Sequence, residues 1–239
     1  MTEVKALTIA GTEKLSKDVQ DLLYKNLEEG KRGIDFRPPL YKIDHKGLVF
    51  MLDGSTDKKK VLEGVVVLKQ KIRGIWEEGS PVPVCSSFDG VTGNDRVKQD
   101  IGITCAACPS NVWGSGKDGK GKACKEMRRV LLVESLDNLY PVVFTVPPTS
   151  LKIFDMFFSN LYHKKIPLLM VNIKFSLDRA SGGGYDFAKI RPELAVDVND
   201  QPITLTDPQI RRVAAIEKEF KKQFEAMDIE VDKDLTTEF

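Results

Sequence analysis

All four cysteines of this chain lie between Cys85 and Cys124, in the spacing C-x19-C-x2-C-x15-C. No other feature limits the fold as strongly. The segment between them is polar and carries Gly90, Gly93, Gly102, Gly114, Gly116, Gly119 and Gly121. It has little apolar material with which to fold itself, so the sulfurs must do what a core would. The tight Cys105-x-x-Cys108 pair presents two thiolates from one turn, and two distant cysteines close the tetrahedron that zinc prefers. Structural zinc in small modules contributes on the order of 10 to 16 kcal/mol. The expectation is one structural zinc ion per chain, ligated by Cys85, Cys105, Cys108 and Cys124.

Two other uses of the cysteines are open to such a pattern. A thioredoxin-like redox pair at Cys105 and Cys108 wants a βαβ setting that the surrounding glycine and serine do not supply. A catalytic zinc keeps an open position and takes histidine or carboxylate ligands beside a general base, whereas four thiolates fill the sphere. His45 and His163 lie far from the cluster in sequence and read as ordinary surface or core histidines. The run Gly114-Ser115-Gly116-Lys117-Asp118-Gly119-Lys120-Gly121 satisfies G-x-G-x-x-G and the first part of a phosphate-binding loop. The residue that should follow the lysine to hold magnesium is Gly121, and neither a preceding apolar strand nor a following helix is evident. A flexible lysine-bearing loop fits better.

The N-terminus, Met1-Thr2-Glu3-Val4-Lys5, lacks the apolar core of a secretory signal. No stretch approaches the roughly 18 to 20 apolar residues of a spanning helix. The expected setting is the cytoplasm, without a membrane, where disulfides are uncommon and clustered cysteines read as metal or redox chemistry.

With 239 residues, 41% of them hydrophobic, the chain can bury one sizeable core carrying an insertion. Leu15, Val19, Leu22, Leu23 and Leu27 share one helical face from Thr12 to Gly30. Arg37-Pro38-Pro39 breaks that pattern, and Gly47 to Leu52 reads as a short strand. Lys60 to Trp76 is rich in valine and isoleucine, and Gly64 and Gly74 sit where a long curved strand bulges or bends. Arg128 to Glu134 and Tyr140 to Val146 read as a hairpin around Ser135-Leu136-Asp137-Asn138. After Pro147-Pro148, a helix from Thr149 to His163 places Leu151, Phe154, Phe157, Phe158 and Leu161 on one face, a stripe read as core. Leu168 to Leu177 and Tyr185 to Ile190 complete the β content around Gly182-Gly183-Gly184. A last helix starts near Asp207-Pro208 and buries Ile210, Val213, Phe220, Phe224 and Met227.

The order is strand, strand, strand, helix, strand, strand. It predicts a mostly β chain with added helices (α+β), built on a five-stranded oligonucleotide-binding (OB) barrel with a zinc-binding insertion. An SH3-like barrel or an irregular α+β sandwich is the alternative. The expected parts are an N-terminal helix and extension over 1–59, the barrel over 60–200 with its insertion at 85–124, a C-terminal helix over 201–227, and an acidic tail over 228–239.

Charge is distributed unevenly. From Phe224 onward Glu225, Asp228, Glu230, Asp232, Asp234 and Glu238 face the single base Lys233, which leaves a surplus of positive charge on the body of a chain whose net charge is +1. A basic body with an acidic end suggests a polyanion-binding surface and a segment that competes for it or recruits a basic partner. Sequence-tolerant binding of a single strand needs cations for phosphates and exposed rings for bases. Lys69, Lys71 and Arg73 alternate on one strand face, with Trp76 at its end. Phe88, Trp113, Lys117, Lys120, Lys122, Lys125, Arg128 and Arg129 surround the cysteine segment. Tyr185, Lys189 and Arg191 lie on the last strand. Alternate lysines are also the ordinary polar face of a half-buried strand, and lone tryptophans are usually core. Trp113 differs, since its neighbours offer it no core.

With Cys105-x-x-Cys108-Pro109, the glycine-rich loop, Cys124 and Arg128-Arg129-Val130-Leu131-Leu132 in place, the chain resembles the zinc-containing single-stranded DNA-binding proteins of bacteriophage replication. The similarity runs from Lys60 to Glu134 and includes the tail from Asp232 to Phe239, which ends on an aromatic residue. It implies a non-enzymatic protein that coats transient single strands in replication, recombination or repair, in a host cytoplasm. It also implies that Asp228, Glu230, Asp232, Asp234, Glu238 and Phe239 engage partners such as polymerase or helicase and restrain binding to the DNA groove. Two rival readings stand beside it: a zinc-stabilised protein-interaction or transcription-regulating module, and a metal-dependent nuclease using Asp53, Asp57 and Asp89.

Overall fold

A computed structural model describes residues 16–30, 38–77, 80, 82–136, 140–182 and 185–226. Thr12, Leu15, Arg37, Asp137, Asn138, Gly183, Gly184, Met227 and the tail residues Asp228 to Phe239 lie outside them. The valine- and isoleucine-rich run forms one strand of 15 residues, β4 (Val61–Ile75), and the sheet is organised around it. Three short strands precede it, β1 (Leu40–Asp44), β2 (Val49–Leu52) and β3 (Lys58–Lys59). After it come β5 (Cys85–Ser87), β6 (Lys125–Val133), β7 (Val142–Val146), β8 (Ile173–Gly182) and β9 (Tyr185–Leu194). The helices are α1 (Lys17–Gly30), α2 (Arg96–Asp100), α3 (Leu151–His163) and α4 (Asp207–Ala226).

The fold is mixed α+β and mostly sheet, with strand order β3-β2-β1-β7-β6-β4-β8-β9 and β5 paired to β4 off that path. β4, β6, β7, α3, β8 and β9 follow the expected order of strands and helix. The closed five-stranded barrel does not form, and the edges show why. The outer edge of β7 is taken by β1, which pairs with it in parallel through Leu40–Val143 and Tyr41–Phe144. On β9, the Ala188 amide donates to His45 Nδ1 at 3.0 Å and the Ile190 amide to Ser150 Oγ at 2.9 Å. Pro192 offers no amide at all. The sheet therefore curls into a half-barrel whose far end leans on the β1–β2 turn through side chains, and Arg179 Nη2 adds a bond to the Lys46 carbonyl at 3.2 Å.

Gly64 marks the point where β4 changes partner. Residues up to Gly64 pair with β8 and those from Val65 pair with β6, and a Cβ here would run into the Val133 carbonyl. The bulge itself falls between Val66 and Leu68. Gly74 leaves room for the Trp76 ring, which folds back over it.

Alternation along the strands makes two cores. The concave face joins Leu62, Val66, Val130, Phe144, Phe175 and Ile190 to Phe154, Phe158 and Leu161 of α3. Its rings meet edge-on, Phe144 against Phe175 at 4.9 Å, with Phe154 tilted on Phe158 at 4.5 Å. The convex face packs Val65, Val67, Leu131, Val133 and Val143 against Val213, Ile216, Phe220 and Phe224 of α4. Burying a side chain such as Phe224 stabilises by roughly 1.5–3 kcal/mol. α1 forms as its periodicity predicts, yet Val19 and Leu22 are exposed. Among the described residues no helix is long and apolar enough to cross a membrane.

Candidate nucleic-acid interface and cysteine knuckle

The knuckle grows from the end of β4. β5 pairs with β4 so that Cys85 faces Ile75, and the chain then turns through Asp89. Its carboxylate accepts the Val91 and Thr92 amides at 2.7 Å each and the Ser87 hydroxyl at 2.9 Å. Burial works against the Asp89 charge, and these donors outweigh it and lower the pKa. The Cys105 amide donates to the Val91 carbonyl and the Cys124 amide to the Ser110 carbonyl, both at 2.8 Å. Asn111 Nδ2 donates to the Cys105 carbonyl at 2.9 Å. Backbone bonds thus draw Cys105, Cys108 and Cys124 together just before β6.

All four cysteines are free of disulfides, and Cys105, Cys108 and Cys124 are buried. Burial pushes the Cys124 thiol up, Arg73 beside it pulls it down, and the neighbouring Cys105 and Cys108 sulfurs push it further. Lys98 senses Cys108 and Cys85. Burial opposes its charge, but those sulfurs and Asp95 outweigh that and raise its pKa. Cys105 and Cys108 thus act on Cys124, and Cys85 and Cys108 on Lys98, although among the described residues no three His, Cys, Asp or Glu side chains stand in metal-binding geometry. Three thiols buried in a polar, glycine-rich excursion are a donor set that suits a soft thiophilic cation.

Arg73 ties this knuckle to the sheet. Only 7% exposed, it donates to the Gly90 carbonyl at 3.1 Å and to Asn111 Oδ1 at 2.8 Å, and pairs with Glu126. Its guanidinium is turned into the knuckle. Arg129 is likewise buried, donating to the Phe224 carbonyl at 3.2 Å from under α4. Lys69, Lys71 and Arg128 remain on the concave face beside α3. Lys71 lies directly across from Arg128 in the β4–β6 ladder, a like-charge pair that destabilises unless compensated. Glu126 compensates it, holding Lys71 at 3.3 Å and Arg128 at 2.9 Å besides Arg73. Asp155 of α3 adds a two-pronged bond to Arg128 at 2.7 and 3.2 Å. Lys71, Arg73 and Arg128 thus share Glu126, and Arg128 has Asp155 besides.

On the edge away from β6, β4 pairs with β8 only as far as Gly64 and with β5 only from Arg73. Among the described residues, clefts lie on two sides of the middle of β4. One, of about 610 Å3, is lined by Lys69, Gln70, Lys71, Phe88, Asn94 and Glu225 among others. The other, of about 550 Å3, lies between Lys69, Lys71 and Arg128 on one side and Asp155, Tyr162 and His163 of α3 on the other. Gly90 (φ +72°) lets the Lys71 stem pass, since a Cβ there would stand 2.7 Å from its methylenes.

The remaining predicted residues divide. Phe88 is half-buried against Ile72 and Met127 and lines the first cleft. Trp76 packs in that same cluster, its Nε1 buried without a hydrogen-bond partner among the described residues. Trp113 is 78% exposed. Lys117 and Lys120 are exposed around the loop, Lys122 donates to Asn111 Oδ1 at 3.1 Å, and Lys125 is half-buried, its pKa lowered by that burial. Ala188 and Ile190 point into the concave core, so alternation turns Lys189 and Arg191 to the other face, away from Lys69. Lys189 lies over the Phe187 ring and Arg191 pairs with Asp178 at 2.6 Å. Of Tyr185 only the backbone is described, opposite Gly182.

Gly114 to Gly121 closes on itself, with the Gly114 amide donating to the Gly121 carbonyl at 2.7 Å, so that amide is turned inward and not toward a phosphate. Asp53 pairs with Lys42 at 2.7 Å near the β2–β3 turn, in a different loop from Asp89. Sequence reasoning passed over Tyr162, Asn94 and Gln99. A signal existed for the first, because Tyr162-His163-Lys164-Lys165 leaves the apolar stripe of α3 as an unbroken aromatic and cationic run. Compared with known proteins, the chain matches no family model, no curated protein and no solved structure.

Proposed function

We propose that this chain binds single-stranded DNA along the concave face of its half-barrel, coating transient single strands in replication, recombination or repair without catalysing a reaction. The observation that carries this reading is the cationic strip of Lys69, Lys71 and Arg128 between two clefts, with half-buried Phe88 at one side. Unpaired bases expose faces that stack on rings, and their phosphates need cations along a groove. Sheet, helix and order of elements suit an opened variant of the OB architecture, in which the edge that would close the barrel is occupied by β1. Trp113 offers a further ring to a passing strand. Arg73 and Arg129 support the groove from within, one through the knuckle and the other through α4.

One zinc ion held by Cys85, Cys105, Cys108 and Cys124 belongs to the same proposal. Its support is four free thiols in a segment with almost no core of its own, with Cys105 and Cys108 acting on Cys124 and Cys85 and Cys108 both acting on Lys98. Bound there, zinc supplies no chemistry beyond cross-linking. It would fix the Asp89–Gly90 turn on which Lys71 and Arg73 lean. The acidic residues after α4 act as a competitor for the strip and as a handle for replication partners.

One feature favours a protein ligand instead. Val91, Val97, Ile101 and Val112 are exposed on the knuckle together with Trp113. Titration with oligo-dT separates the two readings. Tryptophan fluorescence should be quenched, with quenching lost in Trp113→Phe and reversed by added salt. No quenching at low salt would leave the protein-interaction module as the better reading.

A further inference from the structure

The second cleft sets Lys69 of the cationic strip opposite a ring that neither the strip nor the knuckle employs. Tyr162, at the end of α3, is 83% exposed, its ring 6.4 Å from that of His163 in an edge-on arrangement. A ring so placed contributes nothing to the core, whose α3 residues are Phe154, Phe158 and Leu161. Across the cleft stands Lys69. Among the described residues its ammonium meets no carboxylate within ion-pair distance and instead lies 4.7 Å over the Phe158 ring. Burial lowers its pKa, with Asp155 opposing that effect and Arg128 reinforcing it. A partly buried cation without an anion is costly, and it is arranged to accept one. Arg128, by contrast, is already held by Asp155 and Glu126.

We infer that this cleft is a nucleotide subsite, in which one unpaired base stacks on Tyr162 and the phosphate next to it pairs with Lys69. The inference rests on the single-stranded DNA reading and adds to it a defined place on α3. Lys164 and Lys165 follow directly in the chain and are exposed, so the strand leaving the subsite meets further cations. The chemistry fits a single strand because a base within a duplex has no free face to offer. Ser159 also lines the cleft, placing a hydroxyl beside the stacked base.

The test is fluorescence anisotropy of labelled oligo-dT with full-length wild type, Tyr162→Ala, Tyr162→Phe and Lys69→Met, each checked for an unchanged melting temperature. Stacking of one base corresponds to about 5- to 150-fold in affinity, so Tyr162→Ala should lose that much, while Tyr162→Phe, which keeps the ring, binds as wild type. Lys69→Met should flatten the slope of log affinity against log salt by about 0.7, the contribution of one phosphate. An oligonucleotide carrying 5-iododeoxyuridine should cross-link to the peptide that contains Tyr162. Wild-type affinity in Tyr162→Ala, with oligo-dT binding itself intact, overturns the subsite and leaves the groove standing. Failure of wild type to bind oligo-dT overturns both.

Discussion

Glu126 and Gly90 decide whether the cationic strip exists. A single carboxylate among Lys71, Arg73 and Arg128 lets three positive side chains sit on neighbouring positions without forcing the strands apart. Gly90 does the complementary work with space. Its left-handed backbone and missing side chain let the Lys71 stem lie across the turn, while its carbonyl accepts Arg73. Gly90→Ala is expected to lower stability by about 1–2 kcal/mol through the backbone alone. It should also displace Lys71 and weaken oligo-dT binding several-fold. Gly102→Ala is the control, since Gly102 has φ +71° but a Cβ there would meet nothing within 4 Å. It should show the stability loss in urea unfolding and leave DNA affinity unchanged. Equal affinity in both variants would mean that the Lys71 position does not matter. The placing of Lys69 and Lys71 on one strand face and the grouping of the cysteines in one segment were legible in sequence. The burial of Arg73 and Arg129 was not, because alternation gives a residue's face but not what covers it.

At the scale of elements, α4 links the convex core to the groove. Phe224 packs beneath Arg129, whose guanidinium lies 6.0 Å from its ring, and Gln70 Nε2 donates to the Glu225 carbonyl at 3.1 Å. Glu225 itself lines the first cleft. The described end of α4 therefore lies beside the cations for which the acidic residues after it are proposed to compete. A chain ending at Met227 should bind oligo-dT more tightly than the full chain at low salt, with the difference vanishing at high salt as screening removes both contributions. Indistinguishable binding at low salt would remove the competitor role. α3 and α4 were readable from their apolar stripes, and β4, β6 and β7 from their β-branched runs. β1 was not. It is a five-residue strand after two prolines, and its partner β7 lies about a hundred residues away in the chain, so no local pattern announces the parallel pairing. Tyr162 escaped for the opposite reason, because the strong stripe of α3 announces the buried face alone.

The whole molecule is a sheet curled far enough to make a groove but not closed. Its last strand is finished by His45, Ser150 and Pro192 rather than by another strand, an arrangement that also denies the β9 edge to foreign strands. The closed barrel expected from element order failed on these long-range contacts, which depend on positions that sequence spacing does not relate. What order did convey was the helix between β7 and β8, and with it the wall opposite Lys69. Groove and knuckle meet at the Asp89–Gly90 turn, so metal and DNA binding should be coupled. The most direct measurement is equilibrium binding of metal-assayed protein, before and after chelation, to one sequence in single-stranded and duplex form at two salt concentrations. Freshly purified protein should carry one zinc per chain and prefer the single strand, with a salt slope of roughly −2 for about three phosphates. Chelated protein should lose much of that affinity. Metal-free protein that holds paired and unpaired DNA equally well would contradict both halves of the proposal.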